Sequence, residues 1–153
     1  MSSERQVSVS RTIAASPQTI FDLLADPTKH AVIDGSGTVK GAKGKNPERL
    51  SLGAKFSMDM RIGLPYVISN TVMEFEEPRL IAWRHFGGHR WRYELAPTAD
   101  GTATEVTETF DWSTARFPPA IEWMGYPKKH PAAMAATLER LDAAVTAGPA
   151  AAD

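Results

Sequence analysis

Between Trp83 and Trp112 the chain runs WRHFGGHRWRYELAPTADGTATEVTETFDW, with apolar and aromatic side chains recurring at every second position. A repeat of two is that of a strand with one dry and one wet face. Trp91, Tyr93 and Leu95 then share one face, with Arg90, Arg92 and Glu94 on the other. Val106, Phe110 and Trp112 also share a face, which Glu108 interrupts. An inner face so rich in aromatics, carrying a carboxylate among them, predicts a lined cavity rather than a plain core, and so the handling of a ligand.

The same reading extends outward from this hairpin ladder. Val7, Val9 and Ile13 mark a first strand over 5–13. Ser16-Pro17 is a helix start, a serine cap followed by a proline whose missing N–H costs nothing there. Ile20, Phe21 and Leu24 give that helix its apolar stripe, and Asp26-Pro27 opens a second short helix to about Asp34. Six strands follow, at about 37–42, 53–62, 66–76, 79–86, 90–97 and 102–113, separated by Pro, Gly and Asn turn residues. The proline-rich stretch after Trp112 predicts a long loop with one helical turn around Pro119–Met124. His130-Pro131 then opens a last helix, in which Met134, Leu138, Leu141 and Val145 recur at i, i+4, i+7 and i+11. The fold class is α+β: a seven-stranded curved antiparallel sheet wrapped around a long C-terminal helix, with two short helices after strand 1. Such a sheet and one helix leave space between them. Residues 5–147 read as a single domain and 148–153 as a disordered tail.

The hairpin register decides which side chains face that space, since a slip of one residue exchanges the faces. A two-residue Gly87-Gly88 turn pairs Trp83 with Arg92. A three-residue turn ending at His89 pairs Trp83 with Tyr93 and His85 with Trp91, apolar against apolar, and is preferred. The ligand-lining set is then Trp83, His85, Trp91, Tyr93, Glu108 and Phe110, with Phe56, Met58 and Met60 from an earlier strand and Met134 and Leu138 from the last helix. Methionines suit an adaptable apolar lining.

Composition excludes several chemistries. There is no cysteine, hence no disulfide, thiolate nucleophile or cysteine-based zinc site. The formal charge of −1 and pI near 6.4 give no polyanion signal, so no nucleic acid is expected, and the arginines around position 90 read as a solvated outer face. No window is apolar enough to cross a membrane as a helix, and the chain reads as cytoplasmic, a monomer or weak homodimer. His30 and Asp34, four apart, lack a third ligand and read as a capping or surface pair. No metal and no cofactor are expected.

Glu108 and His85 are the candidate catalytic groups. Glu108 either sits at a wet rim or pairs with an arginine, or it orients a ligand or acts as a base inside the cavity. His85 is either a pocket acid–base group or a hydrogen-bonded strand histidine. Trp123, Met124 and Tyr126 in the proline-rich loop either plug the fold or gate a cavity mouth.

The element order, with FEEPRLIAW, then WRYELAPTADGTATEVTETF, then the long last helix, resembles the START-like superfamily of polyketide cyclases/dehydrases and lipid-transfer proteins. Through DPTKHAVIDGSGTV it is similar to the small actinobacterial-type members. The resemblance implies the helix-grip fold and a hydrophobic pocket under the last helix, entered near the loop before it, where Trp123 and Tyr126 would lie. It implies binding of a small hydrophobic molecule, such as a lipid or polyketide, by a carrier or sensor. Alternatives within the superfamily are a metal-free cyclase, dehydratase or aromatase and a co-chaperone-like interaction module. No shared catalytic motif carries over.

Overall fold

Val7 and Val9 alternate with serines in β1 (Gln6–Ile13), and the chain then turns directly into a helix. Ser16 caps it by accepting from the Thr19 N–H at 3.2 Å, Pro17 occupies the first turn, and α1 (Pro17–Leu24) buries Ile20, Phe21 and Leu24. Asp26 caps a 3-10 turn (Pro27–Lys29) through the Thr28 N–H at 2.9 Å, and α2 (His30–Ile33) follows. The structure, a computed structural model, describes residues 5–34, 39–42, 46–62, 64–85 and 87–146.

The remaining strands are β2 (Val39–Ala42), β3 (Lys55–Ile62), β4 (Leu64–Glu76), β5 (Leu80–Arg84), β6 (Arg90–Pro97) and β7 (Thr104–Asp111). They form a seven-stranded antiparallel sheet in the order β1-β7-β6-β5-β4-β3-β2. β4 is long and carries a register shift between Val72 and Glu74, which adds local twist and bends the sheet around its inner face. α3 (Pro118–Trp123) and α4 (Tyr126–Thr146) complete the chain. Leu138 and Leu141 of α4 are fully buried in the cluster that holds Ile13, Phe21, Leu95 and Val106, so the long helix lies across the concave face.

Three expectations need correction. The β5–β6 register pairs Trp83 with Trp91 and Ile81 with Tyr93, and His85 bonds to His89 through its N–H at 3.2 Å. Three residues, 86–88, therefore separate the strands, and the pairing is two residues away from the one expected. Because the offset is even, the inner and outer faces keep the expected side chains. Gly88 explains the choice: its φ is +94°, and a Cβ there would meet the Thr114 carbonyl oxygen at 2.7 Å. The hairpin tip is tied to the following loop by the Arg116 N–H on the Gly87 carbonyl (2.9 Å) and the Thr114 hydroxyl on the Gly88 carbonyl (2.6 Å).

The last helix starts at Tyr126, four residues before the His130-Pro131 start, and runs through Pro131. Pro127 supplies the same proline signal one turn earlier, and Gly125, at φ +80°, makes the corner after α3. The interior proline removes a single N–H donor, close enough to the N-terminus for the helix to persist.

The outer face near position 90 is an ion network rather than a solvated fringe. Arg92 donates to both carboxylate oxygens of Glu74 (2.9 and 2.8 Å), Arg90 donates to it at 2.7 Å, and Asp111 lies 3.4 Å from Arg92. Arg92 and Glu74 both pair with Ala82 across the strand between them. The small alanine lets the guanidinium lie over β5 and reach the carboxylate, leaving Ala82 with no exposure. Arg92 holds the Glu74 carboxyl below its ordinary range.

Candidate functional site: a polar-studded cavity under the long helix

The space between the concave face and α2, α3 and α4 is a cavity of about 1030 Å³. Phe56, Met58 and Met60 from β3, Trp83 and His85 from the β5 end, and Trp91 and Tyr93 from β6 all lie on its wall. Glu108 and Phe110 of β7 and Met134 of α4 complete the expected residues that the fold brings together. Leu138 is not among the lining residues. It packs in the core, and Thr137 takes the α4 wall position beside it. Trp123 is 88% exposed and lies outside the cavity, whereas Met124 reaches the wall. The side chain of Tyr126 lies outside the described part of the structure.

Glu108 is 4% exposed, so it does not sit at a wet rim, and no arginine among the described residues pairs with it, which overturns both commoner arrangements expected for it. β6 pairs Tyr93 directly with Glu108, and the Tyr93 hydroxyl donates to Glu108 Oε2 at 3.0 Å. Burial pushes the Glu108 carboxyl up to about 8; the tyrosine bond opposes this and the nearby Asp34 charge adds to it. Burial likewise raises the Tyr93 hydroxyl well above its ordinary value. Glu108 is therefore a neutral acid at pH 7, and its Oε1 has no protein partner.

His30 and Asp34 do form a capping pair at the backbone, Asp34 closing α2 through its N–H on the His30 carbonyl at 2.9 Å, but both also line this wall and so are not a surface pair. His30 is buried, stacked on Trp83 with centroids 4.8 Å apart and edge-on to Phe56 at 5.4 Å. Its Nε2 lies 2.9 Å from the Leu24 carbonyl, so the neutral ring carries its proton there, and burial keeps its pKa low. Asp34 accepts from the Val39 N–H at 3.1 Å, fixing the start of β2 against α2.

A second polar region lies toward the β5–β6 tip. His85, His89 and His130 are half-buried on the wall around Phe110 and Trp91. His85 and His89 lie 4.7 Å apart, and His130 is 4.5 Å from Phe110 and 4.9 Å from Trp91, all centroid distances. Loss of water lowers all three, His85 to about 3 and His130 to about 4, so each is a neutral imidazole at pH 7. Among the described residues no group of three His, Asp or Glu is arranged to hold a metal ion. Buried Asn70 contributes an Oδ1 without a protein partner, as His89 does with its Nδ1. Of the four such buried side-chain atoms among the described residues, three (Asn70, His89 and Glu108) line this one cavity.

Sequence reasoning missed His89, His130 and Asn70. The expected pairing places His89 in the turn, whereas the observed register sets it opposite His85 just beyond the strand ends, its carbonyl accepting from the His85 N–H. His130 stands four residues before Met134 and seven before Thr137, a helical spacing visible only once the helix is known to start before it. The lysine and arginine side chains on the wall, among the described residues, are Arg116 and Lys129, both exposed, as are the lining residues Phe117 and Met124.

A curved sheet gripping a long helix over an aromatic cavity is matched by a family profile, polyketide cyclase / dehydrase and lipid transport, over residues 4–146. The chain belongs to this family. It is 40% identical over 144 residues to protein Rv0088 of Mycobacterium tuberculosis (strain ATCC 25618 / H37Rv), covering 89% of this chain and 62% of Rv0088. It thus spans less than two thirds of the curated relatives it matches. Among solved structures, protein Ms6760 from Mycobacterium smegmatis superposes with a TM-score of 0.68 at 15% identity, over 96% of this chain and 94% of that one. Protein NE0264 from Nitrosomonas europaea gives 0.68 at 16% identity, covering 93% and 94%. The Aha1 dimer from Colwellia psychrerythraea gives 0.64 at 16%, covering 94% and 98%. At such identities these structures share the fold of the polyketide cyclase/dehydrase and lipid transport family and nothing finer.

Proposed function

We propose that this family member is a cytoplasmic carrier or sensor that binds a small hydrophobic or amphipathic molecule in the cavity under α4. The observation carrying this reading is the set of three buried polar atoms without protein partners among the described residues, all lining one cavity whose walls are rich in tryptophan, phenylalanine and methionine. Leaving such atoms unpaired is costly, and a ligand's hydroxyl or carbonyl offsets that cost while its body fills the apolar volume. With Oε2 of Glu108 accepting from Tyr93, the acid's own proton falls to Oε1, which then offers a donor to the ligand. The neutral histidines at the other pole can each donate and accept. Native mass spectrometry of protein purified from its own host should show a co-purifying neutral or weakly acidic molecule that disappears in Glu108→Gln with Asn70→Leu. A chain always found empty, with no response to apolar probes, refutes the reading.

One feature favours a second reading, catalysis of the cyclase or dehydratase type. A carboxyl held near pH 8 beside a tyrosine hydroxyl can exchange a proton near neutrality. Turnover of a candidate substrate that is lost in Glu108→Gln, with binding retained, separates this reading from a carrier.

A further inference from the structure

We propose that the mouth of the cavity is a docking face for the surface of an anionic phospholipid bilayer. Strand directions place the relevant segments at one end of the molecule. β3 runs toward its hairpin with β4, β5 runs toward its hairpin with β6, and β7 runs the same way before delivering the chain to α3. The β3–β4 tip, the β5–β6 tip and the start of α3 therefore share an end, and it is the end that supplies Tyr66, Phe117 and Met124, lining residues of the cavity that are exposed to solvent.

This end is also where the exposed apolar surface gathers. Eight large apolar side chains are exposed among the described residues, and six come from these segments. Leu64 (79%), Tyr66 and Val67 stand on the β3–β4 tip, and Phe117, Trp123 (88%) and Met124 on α3 and its approach. Scattered exposed hydrophobes need no explanation, but a gathered set around a cavity mouth does. A tryptophan almost wholly in water on a six-residue helix contributes nothing to the core it sits beside.

The charge around it selects the partner. Arg116, Lys128 and Lys129 are exposed beside α3, and Lys40 and Arg61 flank a groove at the β3–β4 tip. Against them stand Asp59, which shares that groove, and Glu122, which is held by Arg5 at 3.2 Å and by the Trp112 indole at 2.8 Å. These five cations against two acids give a local charge of +3 (5 − 2), and because the chain as a whole carries −1 the remainder carries −4 (−1 − 3). Lys128 and Lys129 moreover sit in the first turn of α4, where the helix dipole disfavours positive charge. Aromatic and aliphatic tips ringed by lysine and arginine match the chemistry of a lipid headgroup layer, apolar below and negative above. None of α1–α4 is long and apolar enough to cross a bilayer, so the contact is peripheral. Docked this way, the mouth opens onto lipid and an apolar cargo enters without crossing water.

The test uses the full chain with vesicles of phosphatidylcholine alone and of phosphatidylcholine with phosphatidylglycerol, read by flotation and by the part of the tryptophan emission shift that is lost in Trp123→Ala. It needs no knowledge of the cargo, so its outcome is separate from that of the carrier reading. Neither variant residue lines the cavity. Trp123→Ala should lower partition onto anionic vesicles by roughly an order of magnitude. Lys128→Glu should lower it several-fold, by more than the roughly fivefold expected for loss of one surface cation. Thermal melts should not fall in either variant (Lys128→Glu relieves the dipole clash and should melt no lower than the parent), apolar-probe uptake should stay unchanged in both, and salt should weaken the parent's binding. Absence of vesicle binding, equal binding to both vesicle types, or binding indifferent to both substitutions overturns the proposal. So does self-association in sedimentation equilibrium that Trp123→Ala abolishes while vesicles go unbound, which would assign the face to a second copy of the chain.

Discussion

Tyr93 and Glu108 face each other across β6 and β7, their hydroxyl and carboxyl oxygens 3.0 Å apart, and among the described residues this is the one side-chain hydrogen bond of a buried acid that has no cation beside it. The consequence for stability follows from the raised carboxyl. Below the ordinary glutamate value of 4.5 both folded and unfolded chains hold this proton, and Glu108 contributes no pH dependence. As pH rises from there toward about 8, the unfolded chain releases the proton while the folded chain keeps it, so folding becomes less favourable. Glu108→Gln removes this penalty. The variant should match the parent near pH 5 and exceed it increasingly up to pH 8, by at most about 1.4 kcal/mol per pH unit. Urea denaturation across that range checks it. A uniform loss of about 3–5 kcal/mol would mean that a buried cation depends on this carboxylate.

The opposite sign is expected on the outer face. Arg92 depresses the Glu74 carboxyl, so the pair's contribution is present above the unfolded glutamate value of 4.5 and is lost as pH falls through the lower folded value. Arg92→Met should cost roughly 1.5–3 kcal/mol at pH 7, the range for hydrogen bonds to charged groups. The gap from the parent should shrink below pH 4.5. An equal gap at pH 7 and pH 3 would assign the loss to packing over Ala82 instead.

Much of this was legible because a period of two fixes faces even when it does not fix partners. Trp83, Trp91 and Tyr93 point inward in the observed register and in the expected one, since the two differ by an even number of residues. The register itself depended on how close Gly88 comes to Thr114, a contact made by a loop 26 residues away. His30 was illegible for a different reason. Its helix is four residues long, too short to show a period, and only packing on Trp83 and Phe56 turns it inward. The Arg92–Glu74 bridge rests on Ala82 lying between them on a neighbouring strand, which alternation along one strand cannot reveal.

Leu138 should behave as a core residue. It is 1% exposed within the main hydrophobic cluster and is not part of the cavity wall. Leu138→Ala should cost about 2–5 kcal/mol, and Leu138→Asp should prevent folding at ambient temperature. Circular dichroism melts decide this. Leu138→Ala should leave probe affinity per folded molecule unchanged, and a selective loss of binding at parental stability would return Leu138 to the site.

Trp91 makes the sharpest contrast with its neighbour in sequence. It lies on the cavity wall against Phe110 at 4.7 Å and His130 at 4.9 Å, while Arg92 points to the outer network. A neutral apolar fluorophore such as N-phenyl-1-naphthylamine should bind inside and quench or shift tryptophan emission. Trp91→Ala removes one wall of stacking surface, and aromatic contacts of this kind contribute about 0.5–1.5 kcal/mol beyond their buried area. Affinity for the probe should therefore fall at least several-fold. Arg92→Met should lower stability and leave that affinity intact wherever the protein is folded, because no Arg92 atom reaches the cavity wall. Binding abolished in Arg92→Met and preserved in Trp91→Ala would reverse the assignment of the two faces of β6.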